Sequence, residues 1–151
     1  SGRPLAERGE RDAQRIGARL QQYQPPPSRI LTSPAARALR TAQLVATAFD
    51  QPLEAIVPEP RLYLAEPLAL RRVIAEQDAA LESLLVVGHN PGLSELVHEL
   101  QPGFEVEDLP TAAVVVLEYP VNMKWTELEA TAGRLAYYDF PKNAREPVRA
   151  R

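Results

Sequence analysis

Only two histidines occur in the 151-residue chain. One of them, His89, stands where the apolar run Leu84-Leu85-Val86-Val87 stops at Gly88 and a helical pattern begins after Asn90-Pro91. An imidazole at such a junction can donate a proton, bind an oxyanion or accept a covalent group. Residues 32–42, TSPAARALRTA, form a second junction of the same kind, with Arg37 about one turn into its helix and Arg40 three residues further on. A guanidinium grips phosphate through two parallel N–H bonds, so this arginine and this histidine together suit phosphoryl transfer. Glu66, immediately before Pro67, is a candidate general acid, although a carboxylate there also favours the N-terminus of a following helix. Ordinary readings stand beside these. A lone histidine at a strand end is commonly a structural hydrogen-bonding group, helix arginines are commonly solvated, and His98, inside a helix, reads as a surface or interface residue. The signal lies in the combination, since both junctions should open on one edge of one sheet.

The elements that must position these residues follow from periodicity. Residues 5–22 form an amphipathic helix with Ala13, Ile16, Gly17 and Leu20 on one face, ended by the QPPPS run. Residues 29–32 read as a short strand. Ser33-Pro34 then supplies an N-cap and a first helical residue for a helix to about Phe49. Residues 50–64 are broken by prolines, with a short strand near 54–57, and Pro67 opens a helix to about Asp78. Residues 83–87 are the most apolar strand, and such a run predicts burial on both faces, as in a parallel sheet. Asn90-Pro91 repeats the cap-plus-proline device, and Leu93, Leu96, Val97 and Leu100 form the apolar stripe of the next helix. Residues 112–119 and 133–140 read as strands; for 121–131 a short helix and a strand remain equally open. Strands alternating with helices predict an α/β fold, a three-layer sandwich with a mainly parallel central sheet and helices on both faces. Ligands in such sheets sit beyond the carboxyl ends of the strands.

Composition narrows the classes. At 16.7 kDa the chain is a single domain over 1–151, with a core of ordinary size. A net charge of −3 and a pI near 5.5 argue against nucleic-acid and anionic-membrane partners. Lys124 and Lys142 are the only lysines, so fifteen of the seventeen basic residues are arginine, the better fork for phosphate. The absence of cysteine removes thiol catalysis and cysteine-ligated zinc. No apolar run reaches membrane-spanning length, and a cytoplasmic location is the expectation.

The combination resembles the histidine phosphatase superfamily, the phosphoglycerate-mutase-like proteins. The matching residues are SPAARALRTA (33–42), similar to the family's Ser-x-x-x-Arg-Ala-x-x-Thr-Ala element, and VVGHNPG (86–92), similar to its second-histidine element. RPLAERG (3–9), LPTAAVVVLE (109–118) and YYDFPK (137–142) match in family order. Larger members insert a long segment between the arginine helix and the second histidine. Here Arg37 and His89 are 52 residues apart, so the chain most resembles the compact bacterial phosphohistidine phosphatases that act on histidine-phosphotransfer domains of sensor kinases.

The resemblance implies roles. Arg37 matches the arginine that clamps the phosphoryl oxygens, and His89 the second histidine that supports the transferring group. Arg3 matches a substrate-binding basic residue near the pocket mouth, while Arg40 falls at a variable position and inherits no role. The family nucleophile is the histidine of an Arg-His-Gly triplet ending a central first strand, and residues 1–151 contain no such triplet. The expectation is that this strand and loop precede Ser1. The implied function is a metal-independent phosphatase, without cofactor, that works through a covalent phosphohistidine. Its partner would be a phosphorylated protein or a small phosphorylated substrate, and a monomer would suffice. A phosphatase for small phosphomonoesters and a non-catalytic phosphate-binding domain are the alternatives.

Overall fold

In the computed structural model, which describes residues 7–142 and 147–149, alternation within short strands sets the architecture. β1 (Arg29–Thr32) lies between β2 (Ile56–Pro58) and β3 (Leu84–Val87), all three parallel, with Ile30 opposite both Ile56 and Leu85. Successive side chains of a strand point to opposite faces. On one face Ile30, Leu85 and Val87 meet Ala42 and Ala46 of α2 (Ala36–Ala48). On the other, Leu31 and Val86 meet Leu70, Val73 and Ile74 of α3 (Pro67–Ala75) and Leu96 of α4 (Gly92–Leu100). The result is the expected three-layer α/β arrangement. Each fully buried Leu or Ile contributes about 1.5–3 kcal/mol.

α1 (Glu7–Tyr23) buries Ala13, Ile16, Gly17 and Leu20, the face its periodicity predicts. Gly17 lets it approach α2 closely, since a Cβ there would lie 3.1 Å from that of Ala48. Arg40 ties the same two helices together through Glu10 (2.8 Å), a structural use that agrees with its variable position in the arginine motif.

A second, antiparallel sheet orders β4 (Val114–Glu118), β5 (Arg134–Asp139) and β6 (Val148–Arg149). β6 is a strand that the sequence pattern did not announce. Residues 121–131, open between helix and strand, hold a 3-10 turn, Trp125–Ala130, whose Leu128 joins the α3–α4 side of the core. α3 is shorter than expected, ending at Ala75 rather than near Asp78.

One expectation needs correction. β3 is not buried on both faces: all four of its residues are half-buried. Among the described residues it pairs only with β1, so one of its edges carries no strand to cover it. β4 likewise pairs only with β5, and four of its five residues are half-buried. The two sheets nonetheless share a core, for Leu85, Val114 and Val116 all pack on the cluster of Leu20, Val45, Phe49 and Tyr137. No described helix is long and apolar enough to cross a membrane.

Candidate active site

Parallel pairing delivers the three candidate segments to one edge. Thr32 is opposite Val87, and the ladder continues one residue further, where the Ser33 N–H donates to the Val87 carbonyl (2.9 Å). The chain leaving β1 toward Arg37 and the chain leaving β3 toward His89 therefore emerge side by side. β2 ends at the same edge, where the Glu59 N–H bonds the Thr32 carbonyl (2.8 Å), so the turn Pro60–Leu62 and the loop after it arrive there too.

His89 is half-buried, and its Nε2 lies 2.8 Å from the hydroxyl of Ser33, a residue with no exposed surface. The Tyr63 ring meets the imidazole edge-on, with centroids 5.5 Å apart. Burial, and next the positive charge of Arg37, hold the His89 pKa below its ordinary 6.5. Both causes disfavour an imidazolium. Arg37 is exposed in the first turn of α2, on the segment that leaves β1 beside the one carrying His89.

The capping at both junctions differs from expectation. α2 starts at Ala36, with Ala35 rather than Ser33 as its N-cap. Ser33 instead accepts the Ala35 N–H on its Oγ (3.2 Å), a local turn that leaves the hydroxyl free for His89. α4 starts at Gly92 behind Pro91, and the Asn90–Pro91 peptide is cis. Asn90 Oδ1 accepts from the Ser94 N–H (3.2 Å) and hydroxyl (2.8 Å). It also pins the loop that bears Leu109-Pro110-Thr111: Asn90 Nδ2 donates to the Leu109 carbonyl (3.2 Å), and the Leu109 N–H donates to Ser94 Oγ (3.0 Å).

The two glycines of the second junction differ in what they require. Gly88 ends the apolar run of β3, yet a Cβ there would make only ordinary contact with Leu93 at 3.7 Å. Gly92 is the constrained position, because a Cβ would collide with the Ala65 carbonyl oxygen. The loop between β2 and α3 thus rests directly on the start of α4. Gly92→Ala is expected to lower stability by about 1–3 kcal/mol, the usual range for overpacking, and to broaden the His89 and Tyr63 resonances as that loop is displaced. An unchanged urea midpoint and spectrum would contradict the contact.

The other candidates separate. Glu66 is exposed and is the N-cap residue of α3; its carbonyl accepts the Leu70 N–H (3.2 Å), but its carboxylate makes no capping bond and has no hydrogen-bond partner among the described residues. It lies one residue past the Ala65–Gly92 contact, hence near the site, but no interaction joins it to His89. Arg3 lies outside the described residues. His98 is half-buried, its Nε2–H donates to the Val106 carbonyl and its ring contacts Phe104. Ser33, Tyr63 and Asn90 are the site residues that pattern reading missed. The position of Ser33 at a strand terminus, next to the His-bearing strand, was the available signal. Among the described residues no group of three His, Asp or Glu side chains is placed to hold a metal.

The fold and these elements have counterparts. The sequence model of the histidine phosphatase superfamily (branch 1) matches residues 1–62, a span that includes Ser33 and Arg37. An uncharacterized protein of Mycobacterium tuberculosis is 32% identical over 149 residues, 93% of this chain and 90% of its own. A provisionally named phosphohistidine phosphatase SixA from Agrobacterium tumefaciens gives a TM-score of 0.70 at 26% identity, covering 89% of this chain and 82% of the other. The protein histidine phosphatase SixA complexed with tungstate gives 0.72 at 24% identity, covering 95% and 87%. The architecture is phosphoglycerate-mutase-like, and the chain belongs to the histidine phosphatase superfamily.

Proposed function

We propose that the protein is a phosphohistidine phosphatase acting on a histidine-phosphotransfer domain of a sensor kinase. The observation that carries this reading is the Ser33-bonded His89 standing beside the start of the Arg37-bearing segment at the carboxyl edge of the parallel sheet. A guanidinium and an N–H donor at that edge suit the equatorial oxygens of a phosphoryl group in transfer. Tungstate is a tetrahedral oxyanion, and its presence in a solved relative of this fold agrees with such a site.

The proposed nucleophile is the histidine of an Arg-His-Gly element on a strand that pairs between β3 and β4. In support, each of those strands is hydrogen-bonded on one edge only among the described residues, and their apolar side chains are only half-buried. The nucleophilic nitrogen attacks phosphorus in line. The bond from phosphorus to the substrate imidazole breaks, and the departing imidazole leaves with a proton. Water then attacks the enzyme phosphohistidine, releasing inorganic phosphate and restoring the histidine.

An imidazole that leaves already protonated asks little of an acid on the enzyme. Glu66→Gln is therefore expected to keep kcat for a phosphohistidine protein within about threefold, well short of the roughly 10²-fold typical of a general acid. The exposed Glu66 carboxylate, without a hydrogen-bond partner among the described residues, is also what favours a second reading, a phosphatase for small phosphomonoesters, whose alkoxide leaving group needs a proton. Loss of turnover in Glu66→Gln, with sugar phosphates the better substrates, would select that alternative. Reading the codons ahead of Ser1 tests the enzyme class itself. An Arg-His-Gly triplet after a β-branched apolar run supports hydrolysis; its absence would leave a phosphate-binding domain.

A further inference from the structure

We infer that Ser33 is a positioning residue that decides which nitrogen of His89 carries the proton. The inference concerns the site of the proposed phosphatase, and its test needs no turnover, so either can fail without the other.

It follows from counting donors and acceptors. The Ser33 hydroxyl has no exposed surface, and its oxygen already accepts the Ala35 N–H at 3.2 Å. One hydrogen remains on that oxygen, and among the described residues the only acceptor in reach is His89 Nε2 at 2.8 Å. Were Nε2 protonated instead, it would donate to Ser33 and leave the buried hydroxyl hydrogen without a partner. A buried polar group left in that state is disfavoured by about 1–3 kcal/mol. Ser33 therefore donates to a bare Nε2, and the neutral ring carries its proton on Nδ1. Burial, and next the charge of Arg37, lower the pKa of the ring and so favour its neutral form, the state in which this choice exists.

The consequence is chemical. Nε2 is occupied as an acceptor and Nδ1 carries a hydrogen, so neither nitrogen offers a lone pair to phosphorus. Nδ1–H has no partner among the described residues and is the donor left for a bound oxyanion. His89 is thereby fixed as a hydrogen-bond donor, which is why this site needs a nucleophile from elsewhere. His98 provides an internal contrast, since its Nε2–H donates to the Val106 carbonyl and its tautomer must be the opposite one.

The test is 15N-histidine NMR of the protein above the ordinary histidine titration range, with His98→Gln to assign the two rings. The expected result is protonated Nδ1 and pyridine-type Nε2 for His89, with the reverse for His98. In Ser33→Ala the pyridine-type Nε2 signal of His89 is expected to be lost as the ring relaxes toward the Nε2–H form. Ser33→Thr, which keeps the hydroxyl, is expected to retain the Nδ1–H signature. A proton on Nε2 in the unmodified protein would overturn the inference. So would an Nδ1–H tautomer that persists in a folded Ser33→Ala. Should Ser33→Ala not fold, the spectra of the unmodified protein and of Ser33→Thr decide.

Discussion

Removing either half of the proposed phosphate site is expected to lower kcat/KM for phosphohistidine hydrolysis by about 10²- to 10³-fold, in Arg37→Ala and in His89→Ala alike. Such a loss corresponds to roughly 2.7–4 kcal/mol of transition-state stabilisation per donor group. In the proposed site the two side chains would serve the same oxygens from different junctions, one from α2 and one after the end of β3, so their losses should not add fully. Arg37→Lys is expected to recover little, because a single ammonium cannot reproduce two parallel N–H bonds. His98→Gln is the matched control, since His98 bonds the Val106 carbonyl away from this edge. The measurement is steady-state release of inorganic phosphate from a phosphorylated histidine-phosphotransfer domain, using the protein as its gene encodes it. Activity in His89→Ala within a few-fold of the unmodified enzyme would remove His89 from the site.

The largest expected effect on stability lies at the opposite side of the core, in Asp139→Ala. The Asp139 carboxylate has no exposed surface and accepts from Arg19 Nε (2.9 Å), the Tyr137 hydroxyl (3.2 Å) and the Phe140 N–H (2.9 Å). It joins α1 to β5, elements more than a hundred residues apart in the chain. Burial, then the charge of Asp139, pushes the Tyr137 phenol well above its ordinary pKa, so it serves here only as a donor. Deleting the carboxylate removes an acceptor from a largely buried guanidinium and from a buried hydroxyl. Breaking a buried pair in this way is expected to lower unfolding free energy by about 3 kcal/mol. Asp139→Asn, which keeps part of the hydrogen bonding, should lose less. Urea unfolding with an unchanged slope reads the difference directly. A shift below about 0.5 kcal/mol would show the pair to be dispensable.

The fold was legible wherever one local period dominated. Ala13, Ile16, Gly17 and Leu20 recur at helical spacing and are the residues α1 buries. The run 29–32 lies between a proline stop and Ser33-Pro34, and it is β1 to the residue. Pro67 likewise marks the start of α3. Legibility failed where neighbours across the sheet decide. The apolar run of β3 reads as buried on both faces, but burial depends on a strand lying on each edge, and only β1 is paired with it among the described residues. β6 is two residues long, too short for any period to announce it.

The site divides in the same way. By itself the sequence determined that His89 and Arg37 stand at strand-to-helix junctions, because glycine, serine and proline punctuate the chain locally. The identity of Glu66 as a carboxylate before a helix was equally plain, though not that this carboxylate has no hydrogen-bond partner among the described residues. Tertiary structure alone decided that the two junctions meet. Parallel pairing of β1 with β3 puts Thr32 opposite Val87, and only that register sets Ser33 beside His89 across 56 residues of chain. It also set the glycine requirement at Gly92, since the Ala65 carbonyl that forbids a side chain there comes from a distant loop. A hydrogen bond of this kind carries no local period. Its partners are chosen by sheet register and loop contact, so neither residue's neighbours in sequence can foretell it.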